Sequence, residues 1–366
     1  MFKKLCYIFI FVFHGLFSIY LYAVDTVSLG TYKFFSEKDF FFEAALRNSA
    51  KLVILLLAVM IMFFIDHVLS ESVNAFCSFR LRKDHKIGML GLYRLIILLS
   101  VASILLFVNI NASDDYSRQE KIAKMRDFLV NERFVIHAGG SIDGDSYTNS
   151  KEAIENCYIQ GNRVAEIDIL ETYDGALVLA HDEDSDDIWA TGIDSDEPLT
   201  LDEFMEKKVY GKYTTMSMDN MAEFMREHTD FYIVTDVKDD NIQCCTKISE
   251  DYPDLLERII VQIYHEGEYD RIRSLGFPYI IYSLYRADDD EIGVNVLKSV
   301  AIKDELVGYT FWADWAEYDF MEGMLETGTP LFVHTLNDRV EIREALDKGI
   351  SGIYTDLTDV EAYRKI

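Results

Sequence analysis

Between Arg133 and Asp356 the chain carries eight short β-rich runs separated by stretches of helical patterning. They are FVIH (134–137), VAEIDIL (164–170), FYIVTDV (231–237), RIIVQIY (258–264), YIIYSL (279–284), LVGYTF (306–311), LFVHTL (331–336) and SGIYTD (351–356). Strands joined through helical crossovers must run parallel, because a parallel pair cannot be closed by a tight hairpin. Eight strand–helix units in one α/β domain fit a TIM (β/α)8 barrel better than an open doubly wound sheet. In such a barrel the chemistry gathers at the C-terminal ends of the strands, so those positions are the ones to inspect.

Charge divides the chain in two. Residues 1–112 hold 11 Lys/Arg against 7 Asp/Glu, whereas residues 113–366 hold 24 against 56, so a net +4 meets a net −32 near Asn111–Ser113. The first part reads as a membrane region with apolar runs at 5–24, 52–69 and 92–110, long enough for three transmembrane helices. Positive charge at Lys3 and Lys4, and at Arg80, Arg82, Lys83 and Lys86, places both of those segments in the cytoplasm. Three crossings then make a multi-pass protein whose second domain, 113–366, is extracytoplasmic, with the lipid bilayer as a partner. A domain at −32 repels nucleic acid, and an anionic substrate needs a local cation or a metal. The five cysteines, Cys6, Cys77, Cys157, Cys244 and Cys245, show neither zinc spacing nor a disulfide framework.

At the predicted strand ends stand His137, Glu166 with Asp168, Asp236, Gln262, Trp312 and His334. Glu166 and Asp168 are two residues apart, so both point to one face of a strand. Two inward carboxylates are costly unless paired or bound to a metal, and a hard divalent cation prefers their oxygens. A structural ion pair is the alternative, with Lys238 the nearest candidate partner. His181 follows the short run ALVLA (176–180), and with His137 it flanks the carboxylate pair. Imidazole titrates near neutrality, so the two histidines suit general acid and base roles. Tyr309, Phe311, Trp312 and Trp315 either line the mouth against a glycerol or sugar moiety or simply pack. The acidic stretch 181–197 lacks the glycine-centred spacing of a calcium loop and reads more readily as a solvated loop.

His137 with Gly139, Glu166-x-Asp168, Thr172-x-Asp174-Gly175, His181-Asp182, PLTLDEF (198–204), Asp236-x-Lys238, HTLND (334–338) and GISGIYTD (349–356) together resemble a glycerophosphodiester phosphodiesterase, whose fold is the phosphatidylinositol-phospholipase-C-like TIM barrel. The resemblance implies one divalent cation, Ca2+ or Mg2+, on Glu166, Asp168 and Asp236, with His137 and His181 as catalysts and Lys238 as a phosphate contact. This sequence departs from the family pattern at Ala138, where an arginine is usual, at Thr148, where a glutamate is usual, and at Asp236, where a glutamate is usual. With the arginine missing, backbone N–H groups of Gly139, Gly140 and Ser141 are expected to approach the phosphate, joined by Gln262 and Trp312 as substrate contacts.

The reading is therefore a TIM barrel preceded by about three transmembrane helices, a membrane-anchored phosphoric diester hydrolase acting on a glycerophosphodiester, a lipid head group or a polymer-linked glycerol phosphate. The alternative is a non-catalytic binding or regulatory module on a retired phosphodiesterase barrel. A two-carboxylate glycosidase is disfavoured, because Glu166 and Asp168 on one strand cannot flank a glycosidic bond.

Overall fold

The computed structural model describes residues 117–366 apart from 182–187, 191–192, 195–198, 289–290, 304, 317, 362 and 364–366. The three apolar runs at 5–24, 52–69 and 92–110 lie outside the described residues. Among the described residues no helix is long and apolar enough to cross a membrane. The compact unit that holds the barrel spans Arg118–Ile366.

Eight parallel strands close on themselves: β1 (Phe134–Ile136), β2 (Val164–Glu171), β3 (Tyr232–Val237), β4 (Ile259–Ile263), β5 (Tyr279–Ser283), β6 (Gly308–Trp312), β7 (Leu331–His334) and β8 (Gly352–Thr355). Each pairs with its successor, and β8 returns to β1 through Phe134 opposite Ile353 and Val135 opposite Tyr354. All eight β-rich runs of the sequence become barrel strands. Their near-continuous apolar character follows from burial on both faces, one against the barrel interior and one against the surrounding helices. Those helices are α1 (Lys151–Ile159), α2 (Met218–Glu227), α3 (Asn241–Asp251), α4 (Tyr269–Ser274), α5 (Val294–Lys303), α6 (Tyr318–Leu325) and α7 (Arg339–Asp347). Polar caps start several of them in the loops above the strands: Ser150 accepts from the Ala153 N–H, Ser217 from Asn220 and Asp240 from Gln243.

Period-two alternation sorts each strand. Val135, Val164, Val234, Ile260, Ile281, Phe332 and Tyr354 share one cluster with Ile122, Met125 and Leu129 from a helix over residues 117–132. Ile122, Met125 and Leu129 fall at i, i+3 and i+7, one stripe of that helix, and they seal the N-terminal end of the barrel. Arg126 ties the same helix to the Leu306 carbonyl just before β6. Removing any one of these buried aliphatic side chains to alanine costs about 2–5 kcal/mol by the usual range for core truncations.

Phe332 fills the interior between two strands that lack side chains there. A Cβ on Gly308 would fall 2.7 Å from its ring, and a Cβ on Gly352 would fall 2.5 Å from it. The glycines on β6 and β8 are thus what admits a phenyl ring into the barrel at that level.

Between β2 and α2 the chain makes an excursion. Leu177–Leu179 folds back antiparallel on β2, with Leu179 opposite Ile169, and itself pairs with Met216–Ser217. This excursion packs its own small apolar cluster around Val178, Leu199, Phe204 and Tyr213.

Candidate active site

Advancing two residues from each interior apolar residue reaches the mouth: His137, Glu166, Asp236, Gln262, Ser283, His334 and Asp356. The alternation that fills the barrel below therefore also aims this ring of side chains inward. Asp168 lies one further step up β2, and Lys238 directly follows β3.

Glu166, Asp168 and Asp236 come together as the sequence spacing implied. One ligand atom from each lies within 4.8 Å of the others, and all three residues are buried. Register explains the meeting, since β2 and β3 pair with Asp168 opposite Asp236. Glu166 Oε2 accepts from the Ala138 N–H at 2.9 Å, while its Oε1 is buried with no hydrogen-bond partner among the described residues. Burial and the neighbouring Asp168 push Glu166 up to about 8, against the pull of His137. An all-oxygen set with one unpartnered ligand atom suits a hard divalent cation.

Lys238 occupies the same cluster. Its ammonium lies 2.8 Å from Asp168 Oδ1, an ion pair not aligned as a hydrogen bond, and donates to Asp236 Oδ2 at 2.7 Å. The lysine read from sequence as a phosphate contact, or as the ion-pair partner of the carboxylates, stands in this structure as the latter. Asp236 also accepts from the hydroxyls of Tyr264 and Tyr285, the latter at 2.7 Å. Burial would raise the Asp236 pKa, but Lys238 and the two phenols outweigh it and hold the carboxyl below its ordinary value.

His137 stands just past β1 and is fixed by a residue from the opposite end of the barrel sequence: its Nδ1 lies 2.8 Å from Asp356 Oδ1. Asp356 is itself held by Asn337, whose Nδ2 donates to Oδ2 at 2.6 Å. Burial alone would lower the His137 pKa, but the bond to Asp356 and the charges of Glu166 and Asp168 carry it up to about 9. His181 reaches the mouth because the antiparallel excursion brings the Ala180 N–H onto the Asp168 carbonyl at 3.1 Å. Between the two histidines stands Tyr147, edge-on to both, with ring centroids 4.7 Å from His137 and 5.0 Å from His181.

The expectation for the glycine loop needs correction at Gly140 and Ser141. The Gly140 N–H donates to the His137 carbonyl at 2.8 Å and the Ser141 N–H to the Asp356 carbonyl at 2.7 Å, so neither is turned to a ligand. Gly139 and Gly140 share an unusual backbone geometry. Both have left-handed φ, +76° and +93°, and a Cβ on Gly140 would meet Thr358 at 2.4 Å. Gln262 is brought into the barrel and is buried there, with the Tyr354 hydroxyl 3.5 Å from its Oε1. Trp312 is half-exposed and stacks on His334 at 4.4 Å between ring centroids, with planes 11° apart. Cys244 and Cys245 are buried away from this chemistry, and burial raises both thiols, Cys244 to about 12.

Besides Tyr147, four participants were not assigned a role from sequence. Asn149 grips Asp168 twice, donating from Nδ2 to Oδ2 at 2.7 Å and accepting the Asp168 N–H at 3.0 Å. Asp356 orients His137; its place at the end of the last β-rich run was the available signal. Tyr264 and Tyr285 follow β4 and β5 at inward positions, which period-two counting alone could have marked.

The model of the glycerophosphoryl diester phosphodiesterase family matches residues 139–360, well over half of the chain. No curated protein matches the sequence. Among solved structures, a glycerophosphoryl diester phosphodiesterase from Parabacteroides distasonis is similar with a TM-score of 0.51 at 16% identity, covering 66% of this chain and 92% of its own. A phosphodiesterase from Oleispira antarctica, solved with the product sn-glycerol-3-phosphate, is similar with a TM-score of 0.50 at 13% identity, covering 64% of this chain and 96% of its own. Such identities speak for the fold, and the family match speaks for kinship. With its closed barrel and a buried carboxylate cluster at the mouth, the chain belongs to the glycerophosphoryl diester phosphodiesterase family, a family of phosphoric diester hydrolases.

Proposed function

We propose that the barrel hydrolyses a glycerophosphodiester at its mouth by acid–base catalysis from His137 and His181, with one divalent cation, calcium or magnesium, on Glu166, Asp168 and Asp236. The observation that carries this reading is a buried carboxylate cluster with His137 4.0 Å from Glu166 and His181 next to Ala180, whose N–H is bonded to the Asp168 carbonyl. The sn-glycerol-3-phosphate held by the Oleispira antarctica phosphodiesterase supports the substrate class. When bound, the cation supplies charge neutralisation for the phosphoryl oxygens.

The chain's own residues divide the remaining work. His137, protonated at neutral pH and backed by Asp356, gives its proton to the leaving alkoxide as the P–O bond breaks. His181 accepts a proton from the attacking oxygen, whether water or a neighbouring substrate hydroxyl, as the new P–O bond forms. Lys238, already beside the cluster, adds positive charge at the phosphoryl group. Trp312, exposed at the rim, covers the alcohol portion.

The apolar, positively flanked first third supports anchoring of this domain to a membrane on its extracytoplasmic side. Protease added to intact cells tests that topology, and a domain left uncut while other surface proteins are degraded would overturn it.

A second reading, a non-catalytic module on the same barrel, has one observation in its favour: Lys238 already pairs with both Asp168 and Asp236. The deciding experiment assays the purified full-length protein for alcohol release from glycerophosphodiesters, lysophospholipids and polymer-linked glycerol phosphates, with calcium, with magnesium and with chelator. Metal-stimulated release establishes the enzyme, whereas silence across the panel favours the module.

A further inference from the structure

Tyr147 is in an unusual position for a bulky residue. Its φ of +58° lies in the left-handed region, where glycine or asparagine is the ordinary occupant, yet an aromatic ring is placed there with 39% of its surface exposed. The segment around it is pinned on both sides. Ser146 is hydrogen-bonded to Ser141 at 2.8 Å, the Asn149 N–H donates to the Ala138 carbonyl at 3.2 Å, and the Asn149 side chain is locked to Asp168. The backbone thus delivers this ring to one place, the gap between His137 and His181.

The contacts there are specific in angle. The Tyr147 ring meets His137 at 88° between planes and His181 at 80°, edge-to-face on both sides. Its hydroxyl makes no hydrogen bond among the described residues, so the contact surface that matters is the ring. His137 is fixed from behind by Asp356, whereas His181 arrives from the antiparallel excursion after Leu177–Leu179. The two imidazoles therefore come from different parts of the fold, and the Tyr147 ring touches both.

We propose that Tyr147 is a positioning residue whose ring sets the separation and tilt of His137 and His181, so that one imidazole faces the leaving oxygen while the other faces the attacking one. This rests on the reading of the two histidines as the acid–base pair. Two groups acting on opposite sides of one phosphorus need a fixed spacing, and a displacement of about 1 Å can cost on the order of 100-fold in rate. Removing the ring leaves both histidines chemically intact and misplaced.

The test uses the full-length protein with glycerophosphocholine as substrate, comparing Tyr147→Phe, Tyr147→Ala and Tyr147→Gly. Phenylalanine keeps the ring and should hold kcat within about 3-fold of the parent. Alanine and glycine should lower kcat by about 10- to 100-fold at nearly unchanged KM. Glycine also suits the left-handed backbone, so it separates loss of positioning from loss of folding, which thermal melting monitors. Equal turnover in all three variants would overturn the proposal. A rise in KM at constant kcat would overturn it too, making the ring a substrate contact, and a Phe variant as impaired as the Ala variant would assign the work to the hydroxyl. His137→Ala and His181→Ala run alongside: if both keep full turnover, the acid–base reading fails and the proposal with it, whereas inactive histidine variants beside a fully active Tyr147→Ala refute the role of Tyr147 alone.

Discussion

The barrel mouth has two unlike halves. Four consecutive strands, β8, β1, β2 and β3, present Asp356, His137, Glu166, Asp168 and Asp236, with Lys238 beside them. The other four, β4 to β7, present Gln262, Ser283, Thr310 and His334, none of them an acid. Ser283 Oγ, Thr310 Oγ1 and His334 Nε2 are buried there without hydrogen-bond partners among the described residues. The same residue type shows the contrast. His137 in the charged half is raised to about 9 despite its burial, whereas burial, helped by the charge of His137, lowers His334 to about 4. Desolvation opposes the imidazolium at both sites, and the neighbouring carboxylates decide which site keeps the proton.

The largest test of that division is catalytic. Replacing His137 or His181 by alanine should lower kcat by about 10²–10⁴-fold in steady-state assays. His334→Ala should leave kcat within about 10-fold, and an equal loss at all three histidines would erase the distinction between the halves. Next comes the cation. Glu166→Gln or Asp168→Asn should weaken calcium or magnesium binding at least ~10-fold by calorimetry, while Ser283→Ala and Thr310→Ala leave it unchanged. Because Glu166 titrates at about 8, binding at pH 7 should release about one proton, visible as a dependence of the measured heat on buffer ionisation.

Stability should carry two pH signatures of opposite sign. The folded pKa of His137 lies above its ordinary 6.5, so its contribution is complete below about pH 6.5 and is lost as pH rises through about 9. Asp356→Asn removes the main cause and should flatten that alkaline loss, which amounts to about 3 kcal/mol at most. The folded pKa of His334 lies below 6.5, so the unfolded chain takes up a proton that the folded chain refuses, and stability falls as pH drops from about 6.5 towards 4. His334→Phe keeps a ring against Trp312 and should remove this acid-side loss, about 3 kcal/mol at most, in thermal melts from pH 4 to 7. A variant that melts with the same acid slope as the parent would show that His334 is not the proton-refusing group.

What could be seen in the sequence was local. Glu166-x-Asp168 is a statement about one strand, and period-two alternation fixed both its direction and its neighbours. The eight strands were legible for the same reason, since burial on both faces leaves an unbroken apolar run. What stayed hidden depends on closure. His137 and Asp356 are 219 positions apart, and only the return of β8 to β1 makes them partners. The glycine loop was misjudged because free N–H groups were inferred from residue type, whereas the structure uses the N–H groups of Gly140 and Ser141 to fasten the loop to β1 and to the end of β8. Tyr147 was missed because its left-handed φ is set by the pinned residues around it and has no signature in an aromatic letter.

Phe332 and its two flanking glycines act as a keystone. His334 stands two residues above that ring on β7, and Asp356 stands four above Gly352 on β8. A methyl group added at Gly308 or Gly352 would wedge the seam where β6, β7 and β8 meet, and the shift would travel along rigid strands to a proton donor set by a contact of 2.8 Å. The tolerance of the catalytic rim is thus machined at the waist of the barrel, and selection for turnover would act on a position that never meets substrate.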